Sequence, residues 1–180
     1  MREVRLIVLY EGWRDRKFIQ AYLKQGGYKG SVQYEACAKE YKDGGEKTVR
    51  GRYAAEVAYI RNYVAKNSSA TRWLLVHIDA DVRTVAERYK QLNDLLPREK
   101  RRSDKDPVCT LVPKRNTETW VYHLTRADKA VTEVEDYKYK VSDDDVTAAG
   151  RLLAENDPSI NPNCPPSLIA GHDELKRLPF

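Results

Sequence analysis

Apolar positions along the chain switch repeatedly between two periodicities, and the switches outline an alternating strand and helix order. Val4-Arg-Leu-Ile-Val-Leu-Tyr10 is a nearly continuous apolar run, the pattern of a strand buried on both faces of a parallel sheet. Glu11-Gly12 ends it. Phe18, Ile19, Tyr22 and Leu23 then recur at helical spacing as far as Gly26-Gly27, a pair suited to terminating a helix. Val32–Ala36 predicts a second strand, and the outward alternation of Gln33 and Glu35 marks it as a sheet edge. Residues 39–48 read as a loop, after which Val49, Tyr53, Val57, Ile60 and Val64 form one face of a long amphipathic helix, broken at Asn67-Ser68-Ser69.

Trp73–Ile78 is the strongest strand signal and runs into Asp79-Ala80-Asp81. Val82, Val85, Tyr89, Leu92 and Leu96 predict a helix up to Pro97, Val108–Val112 a short strand, and Trp120, Val121 and Leu124 a compact helix starting near Thr117. Ser142 with Asp145 three residues on has the form of a capping box for a helix ending near Glu155, and Leu168–Leu178 predicts a last short helix. Strands alternating with helices predict an α/β fold with a mostly parallel, Rossmann-like central sheet flanked by helices. Residues 1–125 carry this pattern, and 126–180 are expected as a helical and loop extension packed on the same domain, covering the sheet or contacting a partner.

Composition narrows the classes. With 180 residues, 33% of them charged, and a net charge of +5, the chain is expected to be one ionic, soluble domain. No apolar run reaches the ~20 residues of a membrane span, and no signal segment is visible, so a cytoplasmic location without a membrane partner is expected. Cys37, Cys109 and Cys164 are widely spaced, as reduced thiols would be, with no metal-binding Cys-x-x-Cys pair. The small basic excess permits nucleic acid without demanding it. Its distribution is uneven. Residues 98–105 carry a net +3, and residues 133–145 a net −4. Each run taken alone also reads as a solvated loop.

The chemistry-bearing signal lies at the expected carboxyl ends of the strands, the functional edge of such a sheet. Glu11 follows the first strand, Asp79 and Asp81 the third, and Glu118 comes shortly after the fourth. Two residues apart in extended backbone, Asp79 and Asp81 are expected to point the same way. Each acid alone also reads as a turn or cap residue. Gathered at one edge, four anions repel unless a cation holds them, and hard oxygen ligands select Mg²⁺ or Mn²⁺ over zinc.

Leu6-Ile-Val-Leu-Tyr-Glu-Gly-Trp-Arg-Asp15 resembles the glutamate motif of the Toprim domain, the catalytic module of topoisomerases, bacterial primases and several nucleases. Leu75-Val-His-Ile-Asp-Ala-Asp81 resembles its paired-aspartate motif. Val112-Pro-Lys-Arg-Asn-Thr-Glu-Thr-Trp120 is similar to a segment of the OLD-type and small Toprim-like nucleases. The resemblance covers roughly residues 3–125. It departs at Val82-Arg83, where many Toprim nucleases carry a further acid, and in lacking the Walker sequence of the OLD ATPase domain.

The resemblance implies a Mg²⁺- or Mn²⁺-dependent nuclease acting on DNA or RNA in a defence or repair system, with any ATPase supplied by a separate protein and self-association left open. It implies two ions, held by Glu11, Asp15, Asp79, Asp81 and Glu118. One would activate water and the other would stabilise the leaving oxygen. Glu11, Asp79, Asp81, Lys114 and Glu118 are then the expected catalytic residues, Lys114 meeting charge that develops on the phosphate. Arg98, Lys100, Arg101, Arg102 and Arg115 are the expected nucleic-acid contacts, with the 98–105 loop beside the carboxylates and the acidic run lying elsewhere or moving aside. A non-catalytic metal- or nucleic-acid-binding subunit is the alternative. Lys114 and Arg115 also read as exposed loop cations. His77 is expected as a core histidine with its hydrogen bonds satisfied, while His123 and His172 have no ligand spacing. Trp13 and Trp120 suit stacking on a base, although packing a helix onto the sheet is the commoner use.

Overall fold

The computed structural model describes residues 4–35, 45–66, 71–126 and 129–180. Cys37, Ala36, the Asn67–Ser69 break and most of the expected 39–48 loop lie outside those residues. The chain runs β1 (Val4–Leu9), α1 (Trp13–Gln25), β2 (Ser31–Glu35), α2 (Gly45–Lys66), β3 (Thr71–His77) and α3 (Val85–Asn93). It continues through β4 (Val108–Leu111), α4 (Thr117–Thr125), α5 (Asp143–Glu155) and α6 (Pro166–Leu175). The four strands form one parallel sheet in the order β2-β1-β3-β4, so β2 is indeed an edge.

Burial on both faces accounts for the continuous apolar runs. Leu6, Val8 and Tyr10 of the first run point to a layer built by α1, α4, α5 and α6, where Phe18, Trp120, Val146 and Leu168 pack. Ile7 and Leu9 point the other way, towards Val49, Tyr53, Val57 and Ile60 of α2 and Leu92 of α3. Ser142 and Asp145 make the expected capping box at α5, and Thr84 and Glu87 make another at α3. The 126–180 segment thus contributes to the core shared with the sheet. One close approach fixes its place: a Cβ at Gly150 would stand 2.4 Å from the carbonyl oxygen of Phe18, so only glycine lets α5 lie this near α1. Among the described residues no helix is long and apolar enough to cross a membrane.

Strand order places the crevice. From β1 the chain winds outward to β2, then crosses back to β3 on the other side of β1. The carboxyl ends of β1 and β3 therefore flank a topological switch point, where α/β sheets open a ligand crevice. The connection from α3 to β4, including a short 3₁₀ turn at Arg98–Lys100, lies at the opposite, amino-terminal edge.

Candidate active site

Three segments converge at the switch point. The first is the turn into α1. Glu11 leaves β1 and its Oε1 accepts the backbone N–H of Asp79 at 2.9 Å, tying the ends of β1 and β3 together. Asp15, in the first turn of α1, is buried; its Oδ2 accepts the N–H of Gly12 at 2.8 Å and its Oδ1 the hydroxyl of Thr117 at 2.5 Å. Gly45, at the start of α2, presses on this turn. A Cβ there would stand 2.2 Å from the carbonyl oxygen of Glu11.

The second segment is Asp79–Asp81, whose ladder with the residues after β4 outlasts the strands. Ile78 donates to the carbonyl of Leu111, Ala80 to that of Pro113 and Asp81 to that of Arg115, at 3.1, 2.8 and 3.2 Å. This pairing brings Lys114-Arg115-Asn116 beside the aspartates. The chain then turns: Arg83 N–H donates to the Ala80 carbonyl at 2.9 Å, and Asp81 within that turn has φ 55°, the left-handed region that residues with a Cβ rarely adopt. The extended geometry expected of the pair is therefore corrected. Asp79 turns inward, with Oδ1 3.5 Å from the Thr117 hydroxyl, while the half-exposed Asp81 carboxylate reaches the buried Arg88 guanidinium at 3.3 Å.

Asn116 caps α4 by accepting the N–H of Thr119, which sets Thr117 and Glu118 in the first turn facing α1. Glu118 is buried and receives Arg14 at 2.8 Å. Glu11, Asp15, Asp79, Asp81 and Glu118 all line one cleft of about 720 Å³ together with Arg115, so all five expected metal ligands are brought together.

Their electrostatics are those of crowded anions. Burial, then the charges of Asp15 and Asp81, push Glu11 up to about 8, against the Asp79 N–H and Arg88. Asp79 rises well above the usual carboxylate range through burial, reinforced by Asp15, Glu11, Glu118 and Asp81. Among the described residues no lysine or arginine forms an ion pair with Glu11, Asp15 or Asp79.

Other expectations need correction. Lys114 does not line the cleft; its Nζ donates to the carbonyl of Arg83 at 2.7 Å and fastens the turn after Asp81. The 98–105 loop is not beside the carboxylates, because it precedes β4 at the other edge of the sheet. There Arg102 is nearly buried in a two-pronged bond to Glu174, Arg101 pairs with Asp94, and Arg61 holds the carbonyls of Lys100 and Arg101. Arg98 and Lys100 are exposed at that same edge. Of the two placements expected for the acidic run, lying elsewhere is not the one found, since part of the run borders the cleft. Asp136, Lys138 and Tyr139 line the cleft, and Asp143 meets Arg14 at 3.4 Å. Trp120 is fully buried and bonds Ser167, whereas Trp13 is 44% exposed on the cleft wall.

Sequence reasoning also missed Thr117, Arg14 and the environment of His77. His77 is wholly buried as expected, but among the described residues neither ring nitrogen has a hydrogen-bond partner, and Nδ1 lies 3.8 Å from Asp15 Oδ1. Burial lowers its pKa, with Asp15 opposing, which favours the neutral ring. One ligand atom from each of Asp15, His77 and Asp79 can be chosen so that all three lie within 4.8 Å of one another. The alternation that predicts an inward ring says nothing about what the ring meets. No family model, curated protein or solved structure matches the chain.

Proposed function

We propose that this chain is a divalent-metal-dependent phosphodiesterase that cuts nucleic acid, organised on the Toprim plan. The observation that carries the reading is the convergence of Glu11, Asp15, Asp79, Asp81 and Glu118 on one cleft at the β1/β3 switch point. Burial and the charges of neighbouring carboxylates, Asp15 foremost, hold Glu11 and Asp79 there above their ordinary titration. A protein bears such repulsion at a site that binds positive charge. The donor set fits a hard divalent ion: carboxylate oxygens dominate, and among the described residues no lysine or arginine forms an ion pair with the three innermost acids. Glu11, Asp15 and Asp79 would hold the ion, with Asp81 and Glu118 at its margins.

When bound, a divalent cation supplies positive charge to a phosphoryl oxygen and makes water acidic enough to serve as a nucleophile at neutral pH. The chain's own residues do the rest. Asp79 N–H orients Glu11, and the Thr117 hydroxyl with Gly12 N–H orients Asp15, so the carboxylates meet the ion in fixed positions. Arg14 keeps Glu118 facing the cleft. Arg115 and Lys138 on the cleft wall meet substrate phosphates, and the exposed rings of Trp13 and Tyr139 offer faces for unpaired bases.

The test is incubation of the purified chain with supercoiled DNA, single-stranded DNA and structured RNA, with Mg²⁺, Mn²⁺ or chelator, beside Asp79→Asn. Metal-dependent cleavage lost in the variant is expected. No cleavage of any substrate, or equal cleavage by the variant, rejects the reading.

A further inference from the structure

We propose that His77 is a metal ligand, joining Asp15 and Asp79 in a mixed nitrogen and oxygen position that prefers a first-row transition ion such as Mn²⁺ to Mg²⁺. The inference rests on reading the cleft as a divalent-metal site, and adds which ion the site is built for.

Three observations carry it. First, the geometry is close to closed: the three ligand atoms lie within 4.8 Å of one another. An ion with bonds of about 2.2 Å holds ligand atoms about 3.1 to 4.4 Å apart, so side-chain movements within about an ångström complete the contact. Second, His77 is 0% exposed, yet among the described residues neither ring nitrogen has a hydrogen-bond partner. Buried polar side chains are almost always bonded, and a neutral imidazole carries one lone pair that must be met or wasted. A separation of 3.8 Å from Asp15 Oδ1 is too long for a hydrogen bond but suits two ligands facing a shared ion.

Third, Asp15 is already oriented from behind. Gly12 N–H and the Thr117 hydroxyl each occupy one of its oxygens and leave the remaining lone pairs for the His77 side. Outer donors of this kind hold ligating carboxylates in place. Trp120 meets the His77 ring edge to face, with centroids 5.9 Å apart, and limits its rotation. Imidazole suits transition ions, carboxylates suit Mg²⁺ and Mn²⁺, and Mn²⁺ satisfies both ligand types.

Pulsed electron paramagnetic resonance of the full chain loaded with Mn²⁺ tests the proposal. The expected result is a nitrogen coupling from directly bound imidazole that changes when histidine is ¹⁵N-labelled, an observation needing no variant. His77→Gln should abolish the coupling, weaken Mn²⁺ at least about tenfold, and narrow the preference for Mn²⁺ over Mg²⁺. Bound Mn²⁺ without nitrogen coupling, or coupling that persists in His77→Gln, overturns the role of His77 and leaves the carboxylate site standing. Failure of the wild-type chain to bind Mn²⁺ at all overturns both.

Discussion

Replacing Glu11 by Gln should stabilise the metal-free protein at pH 8 while removing much of its response to metal. The exchange keeps a carbonyl oxygen to accept the Asp79 N–H and deletes only the charge. Glu11 is raised from 4.5 to about 8 by burial and by Asp15 and Asp81. A carboxyl raised by folding binds more protons in the native state than in the unfolded one. Its ionisation therefore costs nothing below about pH 4.5, weakens the fold progressively up to about pH 8, and adds no further loss above that.

The full shift corresponds to about 5 kcal/mol at pH 8, an upper bound because Glu11 is partly open to solvent and shares its repulsion with Asp15. Retaining about a third of it gives a gain of about 1.5 kcal/mol, or a rise in Tm of about 3–6 °C for a domain of this size. Thermal melts of both proteins at pH 4.5 and pH 8, with chelator and with Mg²⁺ or Mn²⁺, measure it. Glu11→Gln should melt higher at pH 8 in chelator and equally at pH 4.5. Metal at a hundred times the parent's Kd should raise the parent by about 2.7 kcal/mol and the more weakly binding variant by about 1 kcal/mol or less, reversing their order. A variant that melts lower than the parent at pH 8 without metal, or whose shift is the same at both pH values, would refute the reasoning.

Three further outcomes follow from the same geometry. Gly45→Ala places a methyl against the Glu11 carbonyl and should cost about 1–3 kcal/mol in denaturant unfolding and weaken metal binding in a titration. Arg102→Ala leaves Glu174 without its closest cation and should cost about 3 kcal/mol, yet leave the salt dependence of nucleic-acid binding unchanged, because the loop lies at the far edge of the sheet. Arg115→Ala and Lys138→Ala should each lower that salt slope by about one while leaving the melting temperature nearly unchanged.

The elements were legible where local pattern suffices. Two-sided burial writes itself as continuous apolar runs at Leu6–Leu9 and Leu74–Val76, and caps such as Ser142 with Asp145 lie within one helical turn. The five acids were legible because each stands at the end of a strand or the start of a helix. What they touch was not. Asp15 receives the hydroxyl of Thr117, 102 positions away, and Arg102 reaches Glu174, 72 positions away, so a basic run that looks free by composition is tied down by tertiary structure. The left-handed turn at Asp81, closed by Arg83 N–H on the Ala80 carbonyl, is something no two-residue spacing foretells. The acidic run returns to the cleft because α5 packs on α1 through Gly150, a contact visible only once the helices are placed.

Crystals grown or soaked with Mn²⁺ and recorded at a wavelength where manganese scatters anomalously test the central claim most directly. The account predicts an anomalous peak in the cleft within bonding distance of Asp79, with Glu11 or Asp15 as a further ligand. Crystals that hold Mn²⁺ only outside that cleft, or none at saturating concentration, would contradict it.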